Sequence, residues 1–165
     1  MRGWLFDMMT DTHKTALAAV TDALAGEADA QRAMERTVQL LAKHLPHFTW
    51  TGIYLLDSNE LVLGPYVGKP SPHTRIPLGR GICGAAAAEE KTIIVDDVNA
   101  DPRYLACSID TKSEIVVPIM LNGEVLGELD IDSDRPAAFN EHDQRLLEEI
   151  ATILAPTLAR ARQVF

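Results

Sequence analysis

The chain has 165 residues, 47% hydrophobic and 24% charged, enough for one domain with a real core. A net charge of −9 and a pI near 4.9 argue against nucleic acid or an anionic membrane as partner, since both want a basic patch. No apolar run approaches the roughly 18 residues of a membrane span. Only Arg75 to Arg80 hints at local positive charge.

The opening MRGWLFDMMTD has no usable apolar h-region and no small-residue cleavage site. We expect no signal peptide, a cytoplasmic protein, and a single domain over 1–165 with 1–11 as an N-terminal extension. In that reducing compartment Cys83 and Cys107 are not expected to form a structural disulfide; any pairing would be catalytic or transient.

Thr12 to Ala25 carries a helical stripe of Ala16, Leu17, Val20, Ala23 and Leu24, ended by Gly26. Ala30 to His44 repeats it with Met34, Val38, Leu41 and Leu45 before Pro46. The period then changes to two. FTWTGIYLLD (48–57) and ELVLGPYVG (60–68) form a predicted hairpin. A glycine-rich turn runs into a short Ala-rich helix over 79–91, followed by a brief strand in TIIVDDV (92–98).

A polar loop from Asp96 to Ser113 leads to EIVVPIML (114–121) and EVLGELDI (124–131), joined by the hairpin signal Asn122-Gly123. Asn140 is the expected N-cap of a long closing helix that Pro156 should bend. This order predicts an α+β fold: a central antiparallel sheet, N- and C-terminal helices on one face, and a ligand pocket under loops on the other. The 96–113 loop is the natural cover of that pocket.

GELDIDSD (127–134) poses the chemical question. Its alternation sends Glu128, Asp130 and Asp132 to one face, although like charges repel and strands disfavour Asp. Either the face is solvated surface, or something cationic or proton-hungry sits against it. A register pairing residue i with about 245 minus i puts Glu114 near Ile131, between the two aspartates. Crowded carboxylates could then donate a proton near neutral pH or hold an ammonium group. No histidine is placed among them, which leaves a metal site the weaker reading.

Cys83, at the start of the short helix, is expected to have a lowered thiol pKa from the helix terminus. Cys107 lies on the polar loop. Their spacing is neither a CxxC redox motif nor a zinc pattern, and two unrelated cysteines remain an alternative. Trp50 and Tyr54 share a strand face as core or pocket wall. His13, His44, His47 and His142 read as solvated helix-surface or helix-end residues. No nucleotide-binding glycine loop is present.

Taken together, WTGIYLLDSNELVLGPYVGK, RIPLGRGICGAAA, CSIDTKSE, IVVPI and GELDIDSD closing with FNEHD resemble a GAF domain. More narrowly they resemble the free methionine-(R)-sulfoxide reductases, from about Ala30 to Arg160. The resemblance implies reduction of free L-methionine-(R)-sulfoxide through a cysteine sulfenic acid and an intramolecular disulfide. Thioredoxin, coupled to NADPH, would be the external reductant, with no bound cofactor or metal and a homodimeric assembly.

Carried onto this chain, the resemblance makes Cys107 the nucleophile and Cys83 the resolving cysteine. Glu114, Asp130 and Asp132 hold the substrate's ammonium group and sulfoxide oxygen. Trp50 and Tyr54 pack against its methyl. One departure stands out. The family commonly carries a third cysteine just before RIP, where this chain reads Lys69-Pro-Ser-Pro-His-Thr-Arg-Ile-Pro77, with Pro72 or His73 in its place. That leaves Cys83 as the only internal resolving thiol and puts in question which cysteine is attacked first. It also keeps a non-catalytic GAF sensor domain as the alternative.

Overall fold

A computed structural model describes residues 9–106 and 108–162. Among these, one antiparallel sheet runs β3–β2–β1–β6–β5–β4. Its strands are β1 (Trp50–Asp57), β2 (Glu60–Val67), β3 (Arg75–Pro77), β4 (Ile93–Val95), β5 (Ser113–Leu121) and β6 (Glu124–Ser133). The helices are α1 (Asp11–Leu24), α2 (Ala30–His44), α3 (Gly81–Glu89) and α4 (Glu141–Arg162), with a single 3-10 turn over Val98–Ala100.

The period-two pattern of the central strands creates two unlike faces. Ile53, Ile115, Val117, Ile119, Leu129 and Ile131 point to one side and pack with residues of α1, α2 and α4 in the larger core. Met9 joins that core as well. The opposite face carries Trp50, Tyr54 and Val116 against Ile82, Cys83 and Val98 of the segments that cover it. Each fully buried aliphatic side chain contributes roughly 1.5–3 kcal/mol, so the helix-covered face is the main source of stability.

The helix starts follow from their caps. The Thr10 hydroxyl accepts from the His13 amide, and Asp29 accepts from the Arg32 amide at 2.8 Å. Asn140 caps α4 as expected, and the Asp143 carboxylate accepts from the Asn140 amide in return. Helix α4 continues through Pro156, which faces solvent. Leu146, Leu147, Ile150, Leu154 and Leu158 all go into the core. Ile153, on the same helix, is half-buried.

Two expectations about histidine are corrected. His13 is buried, and both His13 and His47 donate through Nε2 to the same Asp143 oxygen, at 2.9 and 2.8 Å. Burial works to raise the Asp143 pKa, but the bonds from His47 and His13 outweigh it and hold the carboxylate below its usual range. The three residues tie α1 and the entry to β1 onto the start of α4. Their separation of about a hundred positions in sequence hid that contact.

Strand β3 was also absent from the sequence reading. Its only inward residue is Ile76, and Pro77 is tolerated because the strand lies at a sheet edge. The β5–β6 register departs from the simple hairpin count. Asn122 and Gly123 form the turn with positive φ values of 52° and 80°. Met120 faces Val125, but Ile119 faces Gly127, so one extra residue bulges from β6. Beyond that bulge Glu114 pairs with Asp132, not with Ile131.

Candidate active site

The bulge decides the chemistry. Directly opposite residues of an antiparallel pair share a face, so pairing with Ile131 would have turned Glu114 into the helical core. The shifted register instead sets Glu114 beside Asp132, Val116 beside Asp130 and Pro118 beside Glu128. On the other flank of β6, β1 places Trp50, Gly52 and Tyr54 opposite Asp132, Asp130 and Glu128. Glu114, Asp130, Asp132, Trp50 and Tyr54 therefore stand together on the face away from the large core.

The acidic face is not solvated. Glu114, Glu128, Asp130 and Asp132 are 5%, 0%, 2% and 3% exposed. Burial pushes the Glu128 and Asp132 carboxyls well above their ordinary range, and the neighbouring Asp130 charge pushes them further. Burial also raises Asp130, against hydrogen bonds from Glu114 and Cys83 that pull it back. Glu114 and Asp130 can share a hydrogen bond only if one of them carries a proton. Asp130 Oδ1 and Asp132 Oδ1 are buried and accept no hydrogen bond from the described residues. Such atoms are costly unless a ligand completes them.

Cys83 occupies the first turn of α3, buried, with its thiol 3.8 Å from Glu114 Oε1. The expected thiolate-promoting helix terminus loses here. Burial first, then the charges of Asp130, Glu128 and Glu114, push the thiol well above its ordinary value. A helix end offers only about half a positive charge, too little against three acids in a dry pocket. Cys83 is thus held as a thiol and would have to lose its proton before it attacked anything. Cys107 lies outside the described residues.

The aromatic wall is fitted by glycines. The Trp50 indole lies flat across Gly52 and Gly68, where an added Cβ would come within 2.3 Å and 2.6 Å of the ring. Its Nε1 donates to the Lys69 carbonyl at 2.9 Å, and its outer side stacks on Tyr66 with centroids 5.5 Å apart. Tyr54 is fully buried and donates through its hydroxyl to the His73 carbonyl at 2.8 Å.

Two cavities meet this wall. An inner one of about 10 Å³, room for a single water, lies among Tyr54, Cys83, Leu105, Glu114 and Asp130. An outer one of about 320 Å³ is bounded by Trp50, Asp132 and Asp134 and by the cations Lys69 and Lys112. The outer volume suits a small molecule, and its paired signs suit a zwitterion. Donor atoms of Cys83, Glu114 and Asp130 lie within 4.8 Å of one another, a set able to share protons or to hold a divalent cation.

Three residues near the site were not assigned from sequence. Glu128 carried the same alternation signal as Asp130 and Asp132 and needed only to be read with them. Lys69 and His73 lie in an irregular segment whose placement depends on distant side chains, so no local pattern marks them.

The GAF domain model matches residues 29–158. The chain is 42% identical over 145 residues to GAF domain-containing protein A of Dictyostelium discoideum, covering 87% of this chain and 90% of that protein. It is 37% identical over 136 residues to the free methionine-R-sulfoxide reductase of Escherichia coli, covering 82% of each. The structure of free methionine-R-sulfoxide reductase from Neisseria meningitidis in complex with its substrate superposes with a TM-score of 0.86 at 40% identity, over 93% and 92% of the two chains.

Proposed function

Because the chain belongs to the GAF domain family, and within it to the free methionine-R-sulfoxide reductases, we propose that it reduces free L-methionine-(R)-sulfoxide to methionine. The observation that carries this reading is the buried acid cluster, with acceptor atoms left open beside a thiol and under the Trp50 indole. A binding module for an apolar or anionic ligand has no use for that arrangement.

In the proposed cycle the Cys107 thiolate attacks the sulfoxide sulfur, and the sulfur–oxygen bond breaks. The oxygen passes from the methionine sulfur to the Cys107 sulfur as the transient sulfur–sulfur bond breaks, so methionine leaves and Cys107 carries the oxygen as a sulfenic acid. A protonated carboxyl of the Glu114, Asp130 and Asp132 group supplies the proton to the oxygen, while an ionised member holds the substrate ammonium group. The methyl packs against Trp50 and Tyr54. The Cys83 thiol then condenses with the sulfenic acid, forming a disulfide and releasing water. Thioredoxin returns both thiols at the expense of NADPH, so the cycle needs no resident cofactor or metal.

We also propose a cytoplasmic location, which keeps the two thiols reduced between turnovers, and one catalytic unit spanning 1–165. A homodimer is supported by Leu24, Leu40 and Ile153, half-buried on the three helices that cover the sheet.

Thioredoxin-coupled NADPH oxidation with the free (R) form, the free (S) epimer and a peptide-bound sulfoxide tests the reading. Consumption with the free (R) form alone is expected. No consumption, together with no methionine from reduced protein in a single turnover, would leave a GAF ligand-binding domain.

A further inference from the structure

Three pairs of residues, each four apart, form a ladder from the aromatic wall to the polar loop. Trp50 and Tyr54 belong to the wall. Their side chains donate to the backbone carbonyls of Lys69 and His73, at 2.9 and 2.8 Å. The side chains of Lys69 and His73 continue outward. Lys69 Nζ donates to Asp110 Oδ2 at 2.7 Å, and His73 Nε2 donates to the Ala106 carbonyl at 3.0 Å.

The two outer rungs land on either side of Cys107 in the sequence. The intervening Lys69-Pro70-Ser71-Pro72-His73 segment is stiffened by two prolines, and the His73 amide is satisfied by the Ser71 hydroxyl at 3.1 Å. A stiff segment with both backbone acceptors fixed on the wall can transmit a position. A flexible tether could not.

We propose that Lys69 and His73 are positioning residues that set Ala106 and Asp110, which flank Cys107 in the sequence, in register with the aromatic wall. The rungs suit positioning better than global stability. The Lys69–Asp110 pair is 77% and 58% exposed at its two side chains, and ion pairs so open add little to folding. The Ala106 carbonyl can only accept, so His73 donates from Nε2, and a glutamine amide could take over that donation. The stretch between the two rungs supplies a mechanical link from the wall to the loop.

The proposal rests on the reductase reading, and its test separates the two. Backbone hydrogen exchange over 104–112 is measured in the full chain for Lys69→Ala, His73→Phe, the double variant and His73→Gln, beside sulfoxide-reduction kinetics and thermal melts. Exchange in 104–112 should rise about threefold or more in each disruptive variant and further in the double. The loss in kcat/KM should be about tenfold and fall mainly on kcat, with Tm nearly unmoved. His73→Gln should restore both readouts.

Unchanged exchange over 104–112 in the double variant would overturn the proposal. So would a uniform rise across the whole chain, which would signal general destabilisation. If the loop responds as expected but the native protein reduces no sulfoxide, the reductase reading falls and the positioning role stands.

Discussion

Glu114 and Asp132 face each other directly across β5 and β6, both buried, with each opening onto a different cavity. Asp132 borders the outer space beneath Trp50, and Glu114 borders the inner space beside Cys83. The pair therefore links the place that can receive a small zwitterion to the place that holds a thiol. Neither group alone spans that distance, and the β6 bulge is what brings them side by side.

Substituting these acids separates chemistry from folding. Glu114→Gln and Asp132→Asn should each lower kcat/KM by about 10²-fold or more, the scale of losing a positioned acid. Neither should lower Tm, because the amide keeps the shape of the acid and its ability to hydrogen-bond. Steady-state kinetics and a thermal melt on the same preparations check both halves. Normal kinetics in both variants would assign the acids a purely structural part.

Glu128 predicts the pH dependence of stability. Its carboxyl is raised well above the ordinary value of 4.5, mainly by burial and next by the Asp130 charge. A folded-state pKa above the unfolded one means that the native state binds the extra proton. The stabilisation is then complete below about pH 4.5 and declines as pH rises toward the folded value. Glu128→Gln should remove that decline and raise stability at pH 8 by about 1–3 kcal/mol, or several degrees in Tm. Denaturant titrations at pH 5 and pH 8 measure the difference, and equal slopes with pH in both proteins would contradict it.

Much of this site was legible in the sequence because alternation is a local signal. Spacing alone puts Asp130 with Asp132 on one face of their strand and Trp50 with Tyr54 on one face of theirs, and the β1–β6 register then joins the two pairs. Glu114 was named from sequence too, but its partner was not. A one-residue bulge in β6, opposite Ile119 and Met120, leaves no pattern in composition yet flips the face of everything beyond it. The Cys83 environment failed for the opposite reason. The helix terminus was visible locally, whereas the three acids around the thiol come from two strands that only tertiary structure brings together. His13, His47 and Asp143 repeat that lesson on the helical side.

Gly52 should prove as necessary as the residues that touch substrate. A Cβ there would sit 2.3 Å from the Trp50 ring, with Asp130 on the neighbouring strand. The ring can relieve that overlap only by lifting off the sheet into the outer cavity. Gly52→Ala should therefore raise KM and lower kcat/KM by about 10²-fold, the cost of misplacing a reacting geometry by an ångström or so. Tryptophan fluorescence should shift in parallel. An unchanged spectrum with unchanged kinetics would show that the indole does not form the wall.

The two cysteines are distinguished by counting turnovers. In reduced Cys83→Ser protein, Cys107 still attacks, so one methionine per chain should appear before the sulfenic acid stalls the cycle. In Cys107→Ser no methionine should form, because the remaining Cys83 thiol is held protonated by burial and by Asp130, Glu128 and Glu114. The same environment predicts that Cys83 in that variant reacts sluggishly with iodoacetamide at pH 7 and accelerates only above its ordinary value of 9.0. Equal loss of single turnover in both variants would break the division of roles. A rapid alkylation of Cys83 at neutral pH would instead make it the thiolate that strikes first, with Cys107 resolving.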